Sequence, residues 1–377
     1  MDEHEKIYLS PPYMCGKEMQ YIKQAFESNW IAPLGPNVIE FEEEMARYMD
    51  MPYALATSSG TGAMHLALRY LGVGSGDLVF CSDLTFAGSC NPIYYLGAEA
   101  VFIDSEENSY NMSPAALEEG LKWSKSNNKM PKAVIIVDLY GQSADYNRLL
   151  PICEAYGVPV IEDAAEAVGA SYFDKKCGSF GLFSILSFNG NKIVSTSGGG
   201  MVLSRDQKAN EKMLFWATQA REKEVHYEHK EIGYNYRLSN ICAGIGRGQL
   251  EGLQYKMKRR KEVYTQYCKL FAESNIKMLQ IFQSGEANYW LSIALLPENV
   301  KPADICASLA ESNIEARPAW KPMHMQPVFS RCKYFSDQGR EVGHNLFKRG
   351  ICLPSGEALT TEQQKKIVDI IKADGKL

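Results

Sequence analysis

Through its first two thirds the chain alternates short, unbroken apolar runs with segments of helical periodicity, an order that few architectures can accommodate. The runs fall at residues 54–56, 78–81, 100–104, 133–139, 158–163, 183–188 and 200–203. Many are continuous rather than alternating in polarity, as a strand buried on both faces requires. Helix-like stretches lie between several of them. Val38, Phe41, Met45 and Tyr48 recur at near-helical spacing, and another such segment spans residues 62–71. This order predicts an α/β chain built on a mostly parallel central sheet flanked by helices.

Near Gln249 the pattern changes. Leu250, Leu253, Met257, Val263, Tyr267, Leu270 and Phe271 predict one long amphipathic helix. Its basic run, Lys256, Lys258, Arg259, Arg260 and Lys261, reads as a solvated face. A strand-like segment at residues 289–296, a helix at 304–311 and a final helix follow. Thr360 and Gln363 fit a capping box that opens the last helix, with Ile367, Ile370 and Ile371 on its inner face. The expected division is a large domain over residues 1–250 and a smaller C-terminal α/β domain over residues 251–377.

Composition narrows the function classes. A net charge of −5 disfavours a nucleic-acid partner. No apolar run approaches the ~20 residues that a membrane helix needs. The first six residues are acidic and polar, unlike a signal peptide, so a cytoplasmic setting is expected. The ten cysteines are scattered, with no CxxC pair and none beside a histidine at zinc spacing. They therefore read as small buried hydrophobes, and no metal site is expected.

Three local features carry chemistry. Residues 56–66 run from a strand into a Ser/Gly/Thr turn (Ser58, Ser59, Gly60, Thr61) and then a helix, whose free amides suit a phosphate. Asp163 ends an apolar strand, where ligands of α/β folds bind. Lys192 follows the 183–188 strand and precedes the glycines at 198–200. Singly, each has an ordinary explanation: a strand–helix turn, a helix-capping aspartate, a solvated lysine. Together they fit pyridoxal phosphate (PLP), which needs an anchored phosphate, a carboxylate at its ring nitrogen and a lysine for a Schiff base.

The blocks SSGTGAMHLAL (58–68), DLTFAGSCNPI (83–93), VIEDAAEAVGA (160–170), LSFNGNKIVSTSGGGM (186–201), IGYNYRLSNICAGIGRGQL (232–250) and RPAWKPMHMQPVF (317–329) make the chain resemble the DegT/DnrJ/EryC1/StrS sugar aminotransferases. The resemblance runs from residues 30–36 into the final third and implies the aspartate-aminotransferase fold, PLP fold type I. Position by position, it implies that Lys192 carries PLP and moves the proton, and that Asp163 pairs with the pyridine nitrogen. It implies that Phe86 stacks on the ring and that Gly60, Thr61 and Ser187 contact the phosphate. Asn235 matches an asparagine reaching in from a neighbouring subunit, which implies a homodimer with shared active sites. Trp30, Arg237, Arg317, Lys321 and His324 sit in family-like blocks as candidate substrate contacts.

Glu166 departs from the glutamine that many family members carry. With the Asn-Gly-Asn-Lys surround of Lys192, it resembles the subgroup acting on UDP-linked 4-keto-6-deoxy-N-acetylhexosamines, with glutamate as donor and 2-oxoglutarate as its product. The alternatives are a dTDP-sugar enzyme, a 3-aminotransferase, or a non-catalytic sugar-sensing protein of the same fold. A sugar 3-dehydratase of this family would carry histidine in place of Lys192.

Overall fold

The computed structural model describes residues 6–282 and 284–375. Residues 1–5 of the acidic amino-terminal stretch lie outside the described residues. Every apolar run singled out above forms a strand of one eight-stranded sheet. Its spatial order is Tyr53–Thr57, Gly200–Ser204, Phe183–Ser187, Val160–Asp163, Ala133–Val137, Leu78–Ser82, Glu99–Ile103, Lys333–Phe335. Only Gly200–Ser204 runs against its neighbours; the other pairings are parallel. The unbroken apolar character follows from burial on both faces. Val79, Cys81, Ile135, Ile161 and Ile185 pack with the helix Gly60–Tyr70 on one face. Phe80, Val134, Ile136 and Val160 pack with the helices Pro114–Ser126 and Tyr146–Ala155 on the other.

A second, antiparallel sheet of four strands has the order Lys277–Met278, Ser292–Leu295, Gly350–Leu353, Arg317–Pro318. It shares a core with the helices Leu253–Phe271, Pro302–Glu311 and Thr361–Asp374 through Tyr267, Leu309, Ile351, Leu353, Ile367 and Ile371. The capping box of the last helix is present, with Thr360 Oγ1 accepting from the Gln363 amide and the Gln363 side chain accepting from the Thr360 amide.

The structure corrects two expectations here. The long helix is two helices, Asn240–Glu251 and Leu253–Phe271, meeting at Gly252. The basic run is not uniformly solvated, because Lys256 and Arg260 are fully buried. One helical turn apart, they lie on the inward side with Val263 and Tyr267. There Lys256 bonds Gln249 and the Ile193 carbonyl, and Arg260 pairs with buried Glu357.

Two segments cross between the sheets. Lys333–Phe335, late in the chain, extends the large sheet beside Glu99–Ile103. Ile7 joins the core of the small sheet and bridges to Ile314. We propose that the folding units part near residue 250, with these two segments exchanged between them.

Candidate active site

The parallel strands open their carboxyl ends on one edge of the sheet, where α/β folds gather ligands. Val137, Asp163 and Ser187 are the last residues of three strands, and all three line a cavity of about 330 Å³. Gly60, Thr61, Phe86, Glu166 and Lys192 line it too.

One end of the cavity is a helix start. Ser59 is extended, and its Oγ accepts from the Gly62 amide at 3.0 Å, capping the helix Gly60–Tyr70. The amides of Gly60 and Thr61 fall in the first turn, where no helical carbonyl is available to accept from them. Ser187 faces them so closely that a Cβ on Gly60 would lie 3.2 Å from the Ser187 Cβ.

The other end holds the charged groups. Asp163 is buried and accepts hydrogen bonds from two neutral donors, Ser89 Oγ at 2.6 Å and the Ala165 amide at 3.1 Å. Burial pushes its carboxyl up, against the pull of those two donors. Lys192 sits on the turn after Phe183–Ser187, its amide donating to the Asn189 carbonyl at 3.0 Å. Its Nζ lies 3.6 Å from Glu166 Oε1 and 3.9 Å from the centroid of the Trp290 ring. Burial depresses the Lys192 amine, with Glu166 and Asp163 opposing. Burial raises Glu166 to about 7, opposed by Lys192 and by the Tyr140 amide, which donates to Glu166 Oε2 at 2.7 Å.

This set of groups fits pyridoxal phosphate. Amides and a hydroxyl stand at one end, and at the other stand a poorly solvated amine and a buried carboxylate that has no cationic ion-pair partner among the described residues. A protonated ring nitrogen would supply that cation. Phe86, 62% exposed, offers its ring to the cavity rather than to the core.

The remaining sequence candidates lie elsewhere. Arg237 is buried behind the strand Tyr53–Thr57, where its guanidinium pairs with Glu42 and donates to the Ala56 carbonyl at 2.9 Å, so its charge is already answered. Trp30 is half exposed, and its carbonyl accepts from Asn240. His324 bonds the buried Asp83 through both its amide and Nδ1, and its ring stacks on Tyr334. Lys321 lines neither this cavity nor the one beside it. Asn235 is exposed and away from the cavity of its own chain, accepting from Gln219. Arg317 lines an adjoining cavity of about 360 Å³ that shares Phe86, Asn191, Trp290 and Trp320 with the first.

Ser89, Trp290 and Trp320 were not singled out from the sequence, and Asn191 entered only as part of the surround of Lys192. Ser89 and Trp320 sit inside motif blocks, but a serine that bonds a carboxylate 74 residues away leaves no local signature. Trp290 lies within the segment 289–296, which reads only as a strand. Among the described residues no cluster of histidine, cysteine or carboxylate side chains could hold a metal ion. Among them, too, no helix is long and apolar enough to cross a membrane.

Comparison with known proteins agrees with this architecture. Residues 12–372 match the DegT/DnrJ/EryC1/StrS aminotransferase family. The chain is 51% identical to EpsN of Bacillus subtilis, a candidate pyridoxal phosphate-dependent aminotransferase, over 98% of this chain and 95% of that one. It is 36% identical to the GDP-perosamine synthase of Escherichia coli O157:H7, over 95% of each chain. The crystal structure of a DegT DnrJ EryC1 StrS aminotransferase from Brucella abortus superposes with a TM-score of 0.88 at 27% identity, covering 96% of both chains. The chain therefore belongs to the DegT/DnrJ/EryC1/StrS aminotransferase family and is a pyridoxal phosphate-dependent sugar aminotransferase of fold type I.

Proposed function

We propose that this enzyme moves an amino group from glutamate to C4 of a UDP-linked 4-keto-6-deoxy-N-acetylhexosamine, for a surface polysaccharide or glycan. The observation that carries the reading is the convergence of Lys192, Asp163 and the Gly60–Thr61–Ser187 cradle on one cavity. In this reading Gly60, Thr61 and Ser187 hold the cofactor phosphate, and Phe86 covers one ring face. Asp163 keeps the ring nitrogen protonated, and Glu166 faces the polar edge of the ring. The bound cofactor supplies an aldehyde that joins amines and a cationic ring that draws electrons from the bond being broken. Lys192 first holds the cofactor. As a free amine it would take the Cα proton of the amino donor. A depressed amine suits that work, because lowering its pKa enlarges the neutral fraction that can take a proton.

The adjoining cavity, with Arg317 at its wall, takes the rest of the acceptor. Asn235 serves the active site of a second copy, so the working unit is a homodimer. The exposed apolar residues Val225, Tyr227 and Ile232, close to Asn235 in sequence, support an interface there. Unpaired cysteines suit a cytoplasmic setting. A second reading, a GDP-linked keto sugar, is favoured by the similarity to GDP-perosamine synthase.

The test is visible absorbance of the purified protein with PLP, followed on adding glutamate and then the keto sugar. Colour lost with glutamate and regained with the UDP-linked sugar supports the first reading. Colour regained only with a GDP-linked keto sugar replaces it with the second. Lys192→Ala is expected to develop no lysine-bound colour and to lose turnover; near-normal turnover in that variant would reject the assignment of Lys192.

A further inference from the structure

We propose that Asn288 and Trp290 are positioning residues that clamp the Lys192–Glu166 pair, with the Trp290 ring serving as the seat of the Lys192 side chain whenever it is not joined to the cofactor. The inference rests on Lys192 being the cofactor lysine.

The segment lies just before the strand Ser292–Leu295 of the small sheet, yet both side chains bond loops that follow strands of the large one. Asn288 is fully buried, and its Nδ2 donates to the carbonyls of Glu166 at 2.7 Å and Val168 at 3.0 Å. Its Oδ1 accepts from the Trp290 amide at 2.9 Å, which locks the two residues into one unit. Trp290 Nε1 donates to the carbonyl of Asn191, the residue before Lys192, at 2.7 Å. Its ring face lies under the Lys192 Nζ. One three-residue segment thus holds the backbone of Glu166 and the backbone of Lys192, and also bears the lysine's charged end. Tyr289, between them, adopts φ +57°, a conformation that a bulky residue keeps only when its surroundings impose it.

A further set of bonds fixes the clamp. Arg260 donates to the Trp290 carbonyl at 2.5 Å and to Ser10 Oγ at 3.1 Å, while Ser10 donates to the same Asn191 carbonyl at 2.9 Å. Buried Glu357 pairs with Arg260 at 2.8 Å. A cation over an indole face is stabilised by the ring quadrupole, and more so where water is excluded. Lys192 swings between the cofactor and a free state in each half of the reaction. A fixed, uncharged seat receives the free ammonium without a carboxylate holding it in a tight ion pair. Glu166, at 3.6 Å, is too long a contact for a close charge-assisted hydrogen bond.

The experiment uses Trp290→Phe, which keeps a ring face but loses the bond to Asn191, and Trp290→Leu, which loses both. Lys192 labelling by an amine-directed acylating reagent is followed by mass spectrometry in the cofactor-free protein. Melting temperature, cofactor-bound absorbance, kcat and KM are measured alongside. The expected result is labelling about tenfold faster in Trp290→Leu and faster by a smaller factor in Trp290→Phe, with kcat falling in both and KM for glutamate unchanged. Labelling and kcat both within about twofold of the parent in Trp290→Phe would overturn the clamp, as would faster labelling with kcat intact. A lowered melting temperature with unchanged labelling would show a purely structural residue. If Trp290→Leu does not fold, Trp290→Phe alone decides. Failure of the cofactor-lysine reading is distinguishable, because Lys192→Ala would then still develop the parent's colour.

Discussion

Glu166 is the residue whose surroundings say most about how charge is handled in this cavity. A carboxyl raised to about 7 by burial can hold or release its proton near neutral pH in the cofactor-free protein, so it can give or receive a hydrogen bond without a change of conformation. Its folded value lies above the ordinary 4.5, so the folded state binds the proton more tightly than the unfolded chain. The contribution of Glu166 to stability is therefore greatest at low pH and declines as pH rises from about 4.5 to about 7. In the cofactor-free protein, infrared spectroscopy should show a carboxylic-acid carbonyl band that fades with a midpoint near 7 and is missing in Glu166→Gln. A band that has already vanished at pH 5 would mean that Lys192 outweighs burial. The residue itself was legible in the sequence as a departure from glutamine. Its titration was not, because burial and the Tyr140 amide come from distant parts of the chain.

At the scale of elements, the proposed phosphate cradle is the meeting of a helix start with a strand, and a glycine permits it. A Cβ on Gly200 would lie 2.2 Å from the Gly60 nitrogen and 2.3 Å from the Ser59 carbonyl carbon. Both atoms are backbone, so the helix start itself would have to move. Gly200→Ala should therefore weaken PLP binding by about tenfold or more, since small displacements of preorganised donors are costly. Equilibrium titration of the cofactor-free protein with PLP checks this, and an unchanged Kd would show that the helix start yields freely. The sequence announced the turn at residues 58–62 and the glycines at 198–200 separately. Their contact arises from the antiparallel pairing of Thr57 with Gly200, and register between strands so far apart is not written locally.

Across the whole molecule, the buried pair Arg260–Glu357 ties the amino-terminal segment, the long helix and the carboxy-terminal third around the site. Both side chains are about 1% exposed, so removing one partner leaves a charge unanswered in the interior. Glu357→Gln is expected to cost about 3–5 kcal/mol, read from urea unfolding. Replacing both residues with apolar ones, Arg260→Met with Glu357→Leu, should cost less than that single change. The opposite ranking would show that the pair contributes to stability beyond answering its own desolvation. Lys333–Phe335 extends the large sheet and Ile7 joins the core of the small one, so neither sheet's surroundings come from one stretch of chain alone.

By itself the sequence determined the seven apolar strands, the helix that opens within residues 58–61, the capping box at Thr360 and the ordered set of motifs. These depend on periodicity and on neighbours a few residues away. The family resemblance also named a lysine, an aspartate and an aromatic residue, Lys192, Asp163 and Phe86, and the three line one cavity; of them only Asp163 ends a parallel strand. Only the tertiary structure decided that Lys256 and Arg260 are interior, that Arg237 is occupied by Glu42, and that Trp290 lies beneath Lys192. Each of these depends on which distant group answers a charge or a carbonyl once water is excluded.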